Sequence, residues 1–167
     1  MKEATLIIRD ALSEDAQLLS HLIQTSFRDV AKRFNLTREN CPKHPSNYST
    51  EWIDADLRRG VQYFILMYDG KPVGCVGIER ANPGLCYLER LSVLPRCRRQ
   101  GFGKVLVRHV LDQAMAMGVS KVGIGIIAEQ TDLKQWYQKL GFVERQIKEF
   151  PHLPFLVCFM EYVIEST

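Results

Sequence analysis

Between Gln62 and Leu94 the chain carries three strand-length apolar runs separated by tight turns, and immediately afterwards the spacing of its apolar residues changes. Asp69-Gly70 has the composition of a two-residue hairpin turn, and Asn82-Pro83-Gly84 that of a second reversal. Residues 62–68, 71–80 and 85–94 therefore read as three consecutive antiparallel strands. From 102 to 117 the apolar positions Val105, Leu106, Val110, Ala114 and Met117 form a helical stripe, which Gly118 terminates. Residues 121–127 then read as a buried strand. A strand, a helix and a second strand in one sheet pair in parallel through a right-handed crossover, so 85–94 and 121–127 are expected side by side. That order demands an α/β fold with a mixed, mostly antiparallel sheet.

The flanks extend the same sheet. Residues 5–9 read as a first strand. Ser13 is the expected N-cap of a helix whose apolar face is Leu19, Leu22, Ile23, Phe27, Val30 and Phe34. From 35 to 49 the periodicity stops, and Cys41-Pro42-Lys43-His44-Pro45 carries two prolines that break regular structure. Loops of this length are often functional, which makes Asn40 and His44 candidate substrate contacts; an ordinary crossover is the alternative. Thr50 is the expected cap of a second helix over 51–59. Thr131 caps another that ends at Leu140-Gly141, and 142–150 and 155–164 close the chain as two antiparallel strands. About seven strands and four helices result, read as one domain over 1–167, and a chain of 167 residues can bury about 70% of its unfolded surface.

The junction between the third strand and the next helix is chemically distinctive. Arg98-Arg99-Gln100-Gly101-Phe102-Gly103-Lys104 places two glycines and three cations where a helix begins. Glycine lets the backbone turn sharply and lie close to a ligand. The first turn of a helix offers N–H groups without intrahelical acceptors and the positive end of the macrodipole, so a phosphate suits it. Arg98 and Arg99 can pair with phosphate oxygens, and Lys104 adds a point charge. A P-loop would need glycine where Arg98 stands and Ser or Thr where Val105 stands; a dinucleotide fingerprint would need glycine at Leu106.

The remaining pattern, Arg98-x-x-Gly101-x-Gly103 after the strand Leu88-Glu89-Arg90-Leu91-Ser92-Val93-Leu94-Pro95, resembles the pyrophosphate motif of the GNAT superfamily of acyl-CoA-dependent N-acyltransferases. Trp136-Tyr137-Gln138-Lys139-Leu140-Gly141-Phe142 resembles that family's later helix and closing turn. The resemblance implies a gap between the two central parallel strands that admits the pantetheine arm of acetyl-CoA. It also implies that the backbone from Gln100 through Gly101, Phe102 and Gly103 to Lys104 holds the pyrophosphate. Leu91, Ser92 and Val93 would lie along the pantetheine, with the Val93 N–H polarising the thioester carbonyl. Gln130 stands where the family commonly has an asparagine that contacts the cofactor. Tyr137, four residues before Gly141, stands at the position of the family's general acid, and a phenol keeps its proton at neutral pH yet can donate to a thiolate. For the base, strict alternation puts Glu89, Leu91 and Val93 on one face, which makes Glu89 the candidate, with Glu79 and His44 as competitors. The expected activity is transfer of an acetyl group to a primary amine of a small molecule or peptide by direct attack; a non-catalytic acyl-CoA sensor is the alternative.

The net charge of +3 is too small to imply a nucleic-acid or membrane partner, and no aromatic residues interleave with the cations of the basic turn as base-stacking surfaces require. Five widely spaced cysteines suit a reducing compartment, and none has a histidine at a spacing that suggests an activated nucleophile. Cys41-x-x-His44 lacks a second ligand pair, so no metal is expected. Residues 1–9 lack the layout of a secretory leader and no apolar run approaches the length of a membrane span, which predicts a soluble cytoplasmic protein, as monomer or homodimer.

Overall fold

A computed structural model describes residues 4–165; residues 1–3 of the stretch examined for a leader, and the last two of the expected domain, lie outside the described residues. Seven strands form one sheet in the order β1-β2-β3-β4-β5-β7-β6. They are β1 (Leu6–Asp10), β2 (Gln62–Tyr68), β3 (Lys71–Asn82), β4 (Leu85–Val93), β5 (Lys121–Ile127), β6 (Val143–Lys148) and β7 (Val157–Val163), and the helices are α1 (Ala16–Arg33), α2 (Thr50–Arg58), α3 (Phe102–Ala116) and α4 (Thr131–Lys139). Every neighbouring pair is antiparallel except β4 and β5. Asp69 and Gly70 both take positive φ, at 50° and 80°, as a twisted two-residue hairpin requires.

Alternation along the strands divides the interior into two layers. Phe64 and Leu66 of β2 pack with Val76, Ile78 and Leu88 against Leu106 and Val110 of α3, while Tyr63 and Ile65 point the other way, to Leu19, Leu22 and Ile23 of α1 and Ile53 of α2. Both caps expected for the first two helices move. A 3-10 turn at Ser13–Asp15 precedes α1, and the Asp15 carboxylate accepts the Leu12 N–H at 2.8 Å while Arg9 grips it. For α2 the cap is Ser49, whose Oγ accepts the Trp52 N–H, one residue before Thr50. Among the described residues no helix is long and apolar enough to cross a membrane.

Two departures from regular sheet geometry shape the centre. In β4, Glu89 faces Gly77 and Ser92 faces Cys75, so three steps on β4 match two on β3: a bulge. Arg90 occupies it with φ of 51°, and the Ser92 hydroxyl donates to the Arg90 carbonyl across it. The bulge reverses the alternation. Leu88, Leu91 and Val93 all join the α3-side core, whereas Glu89 lies on the other face with Arg90 and Glu79, so the expected common face of Glu89, Leu91 and Val93 is broken. The second departure is between β4 and β5. Their parallel ladder joins Leu85 to Lys121, Cys86 to Val122 and Tyr87 to Gly123, and beyond those pairs the strands part.

Candidate active site

The parted strands open a cleft of about 790 Å³, walled by Leu88, Leu91 and Val93 on one side and Ile124 to Ile127 on the other. One end is the basic turn. Arg99 and Gly101 have positive φ, 65° and 83°, which lets the chain reverse into α3. The first helical bond there runs from the Val105 N–H to the Gly101 carbonyl, so the N–H groups of 102–104 have no acceptor within the helix. Gly103 is required by proximity rather than by φ: a Cβ on it would lie 3.1 Å from the Trp136 indole, the ring that joins α3 to α4 across the cleft.

Arg99 and Lys104 line this end of the cleft, but Arg98 is committed elsewhere. Its Nη1 donates to Asp29 Oδ2 at 2.6 Å and its Nη2 to the Ser26 carbonyl at 2.6 Å, so the guanidinium ties the turn to α1 instead of standing free beside the helix N-terminus. A second ion pair, Arg33 with Asp132 at 3.1 Å, joins α1 to α4. Asp29, Arg33 and Asp132 all line the cleft, so α1 forms its third wall.

Along the cleft, the Leu94 N–H bonds the Val73 carbonyl of β3 at 2.9 Å. Successive amides of a strand point to opposite edges, which turns the Val93 N–H into the gap. Tyr137 lines the same space. Its ring is wedged edge-on between Trp136 and Phe142, its hydroxyl makes no hydrogen bond to the described residues, and burial pushes the phenol's pKa upward, so it stays protonated.

The far end is formed by Phe27, His44, Pro45, Arg90 and Phe155. Arg90 is held from behind. Its Nε donates to Tyr63 Oη at 2.6 Å, its Nη2 donates to Glu89 at 2.5 Å and lies 3.2 Å from Asp56, and its plane stacks on the Tyr48 ring at 4.6 Å. Asp56, 2% exposed, accepts from both Tyr48 and Tyr63 and pairs with Arg59, which also bonds Glu79. Burial, with the adjacent Glu79 carboxyl, pushes Glu89 up to about 7. His44 is 6% exposed, and burial lowers its pKa to about 4.

The cleft gathers His44, Leu91, Val93, Arg98, Arg99, Gly101, Phe102, Gly103, Lys104, Gln130 and Tyr137 from the residues singled out in the sequence. Four others fall outside its lining. Asn40 is exposed and spends its side chain within its own loop, on the Thr37 N–H and the Asn35 carbonyl. Ser92 is sealed on the opposite face of β4, Gln100 is exposed beside the turn, and Glu89 sits behind Arg90. Sequence reasoning missed Ser26, Asp29 and Arg33, although their three- and four-residue spacing marks a polar strip beside the apolar face of α1. It also missed Arg90. Among the described residues no three His, Cys, Asp or Glu side chains gather as a metal-binding group.

Fold and site together define a class: a mixed sheet whose central parallel strands part around a cleft that opens on a glycine-rich basic turn. The chain belongs to the acetyltransferase (GNAT) family, whose profile matches residues 17–142. The amino-acid acetyltransferase of Neisseria meningitidis serogroup A is 26% identical over 151 residues, a match covering 90% of this chain and 30% of that protein, so the chain spans about a third of that relative's length. Among solved structures, the PaiA N-acetyltransferase from Thermoplasma acidophilum in complex with coenzyme A superposes with a TM-score of 0.79 at 16% identity, covering 96% of this chain and 99% of that one. The ribosomal-protein-S18-alanine N-acetyltransferase from Escherichia coli gives 0.77 at 18%, covering 98% and 96%. These structures share the fold.

Proposed function

We propose that the protein is an N-acetyltransferase that moves an acetyl group from acetyl-CoA to a primary amine by direct attack in a ternary complex. The observation that carries this reading is the continuity of one cleft from the free N–H groups of α3, along the β4–β5 gap, to the Tyr137 hydroxyl. A coenzyme A complex of a protein with the same fold supports the choice of donor. Acetyl-CoA in the cleft would supply an acyl carbon activated as a thioester.

The residues of the chain divide the remaining work. The N–H groups of 102–104, with Arg99 and Lys104, hold phosphate charge. The Val93 N–H polarises the acyl oxygen as negative charge develops on it. Tyr137 gives its proton to the departing thiolate, and its apolar setting keeps that proton in place until then. Glu89 lies behind Arg90, so it takes a proton from the amine only through intervening water. None of the five cysteines lines the cleft, and burial raises Cys75 to about 12, which favours direct attack over an acyl-enzyme.

Two measurements test the proposal. Acetyl-CoA at about a hundred times its dissociation constant should stabilise the fold by about 2.7 kcal/mol, read as a rise in Tm. A panel of amines should then include one that releases free thiol from acetyl-CoA with mixed-disulfide detection. Stabilisation without thiol release from any amine would identify a non-catalytic acyl-CoA sensor, and no stabilisation would remove the donor assignment.

A further inference from the structure

We propose that the acceptor carries a carboxylate close to its reactive amine, and that Arg90 and His44 hold that carboxylate at the far end of the cleft. The inference rests on the acetyltransferase reading for the role of the ligand, but its evidence is separate: the unspent hydrogen-bonding groups around Phe27 and Pro45.

Arg90 has five N–H donors in a fixed plane. Tyr63, Glu89 and Asp56 take those on Nε and Nη2, and Nη1 makes no hydrogen bond to the described residues while Arg90 itself lines the cleft. The carboxylates behind it and the Tyr48 ring beneath it fix the guanidinium, so its free edge is aimed before any ligand arrives. His44 supplies a second donor. The Ser46 N–H donates to His44 Nδ1 at 3.2 Å, which makes Nδ1 the acceptor nitrogen of a neutral ring and puts the hydrogen on Nε2. His44 is 94% buried, since 6% of it is exposed, and Nε2 has no partner among the described residues. A ring in that tautomer donates to a ligand and cannot act as base through Nε2.

The lining acids, Asp29 and Asp132, are paired with Arg98 and Arg33 at the mouth. The far end thus offers donors, one of them cationic, and no lining carboxylate. That set complements an anion: the hydrogens left on Arg90 Nη1 and the hydrogen on His44 Nε2 can each donate to a carboxylate oxygen. The carboxylate could be the α-carboxylate of a free amino acid or the acidic side chain of an N-terminal residue.

The test uses the full chain saturated with CoA, where no turnover occurs, and calorimetric titration with the common L-amino acids, their α-amides and the matching decarboxylated amines. At least one amino acid should bind about tenfold or more tightly than its neutral counterpart, the range for a hydrogen bond to a charged group. Free α-amino acids preferred over all α-amides would locate the carboxylate at the α position; aspartate or glutamate α-amides binding as well as the free acids would locate it on the side chain. His44→Gln should lower the ratio of carboxylate-bearing to neutral ligand binding, which a general disturbance of the cleft wall would not change. Because Arg90→Gln disturbs a buried network, the comparison of ligands on the unaltered protein decides. Equal binding of acids and neutral counterparts, or no binding of any acid at millimolar concentration, overturns the proposal. Carboxylate-selective binding without thiol release from acetyl-CoA would uphold it and sink the acetyltransferase reading; turnover of decarboxylated amines as fast as of amino acids would do the reverse.

Discussion

Arg98 donates from Nη1 to Asp29 Oδ2 at 2.6 Å, so a guanidinium of the glycine-rich turn is spent on α1. If its task is to hold the turn against α1, Arg98→Ala and Asp29→Ala should both weaken CoA, the first by about tenfold and the second less. Were Arg98 a direct phosphate ligand, Asp29→Ala would release it and tighten binding. Calorimetric Kd values for CoA separate the two. The pair is half exposed, so either change should cost under about 1 kcal/mol of fold stability.

Tyr137→Phe separates chemistry from structure. The hydroxyl has no partner among the described residues, so its loss should leave Tm and the Kd of acetyl-CoA nearly unchanged. Turnover should fall by about 10² or more if the phenol is the general acid. Unaltered kcat with the accepted amine would remove Tyr137 from that role.

Gly101 and Gly103 should fail for different reasons when changed to alanine. At Gly101 the space is open but φ is 83°, so the cost is in the backbone, about 1–2 kcal/mol. At Gly103 the new methyl meets Trp136 at 3.1 Å, and α3 or the indole must shift. Gly103→Ala should therefore change Trp136 fluorescence and weaken CoA, whereas Gly101→Ala should show its effect chiefly in chemical denaturation.

Burial of His44 makes stability depend on pH with a definite sign. Its folded pKa of about 4 lies below the ordinary histidine value near 6.5, so between those values the unfolded chain binds the extra proton. The His44 contribution is full above about pH 6.5 and is lost as pH drops towards 4, by at most about 3 kcal/mol. His109, which burial also lowers, adds the same sign, whereas Glu89, pushed up to about 7, holds its extra proton in the folded state and contributes the opposite sign over part of that window. The His44 contribution is therefore read as the difference in urea unfolding between the unaltered protein and His44→Gln, which should shift in the variant's favour as pH falls from 6.5 towards 4.

The order of elements was legible because it rests on periodicity: the Asp69-Gly70 hairpin, the stripe from Val105 to Met117 and the crossover to β5 follow from spacing alone. The sharp turn into α3 was legible for a similar reason, since two glycines at a strand-to-helix junction mark a backbone reversal or a close approach, and Gly101 and Gly103 supply one of each. The bulge at Arg90 was not. Nothing in Leu88-Glu89-Arg90-Leu91 signals that an arginine will adopt φ of 51°, and that one dihedral moves Glu89 off the cleft and brings Arg90 to it. The tie of Arg98 to α1 was not legible either, because its acceptor, Asp29, lies 69 residues away. Pairings of that kind are fixed by tertiary docking of α1, which leaves no mark in local sequence.

The parting of β4 from β5 has a mechanical side. Leu85 to Tyr87 bind the two portions of the sheet like the lower part of a book's spine, and above them no strand-to-strand bonds set the separation. The width at Val93 and Ile127 is left to the packing of the flanking helices and to ties such as Arg33 with Asp132. An occupant of the gap therefore displaces no rung of the β4–β5 ladder. Such a scaffold can exchange one cargo for another by altering a few wall residues, without any strand having to find a new register.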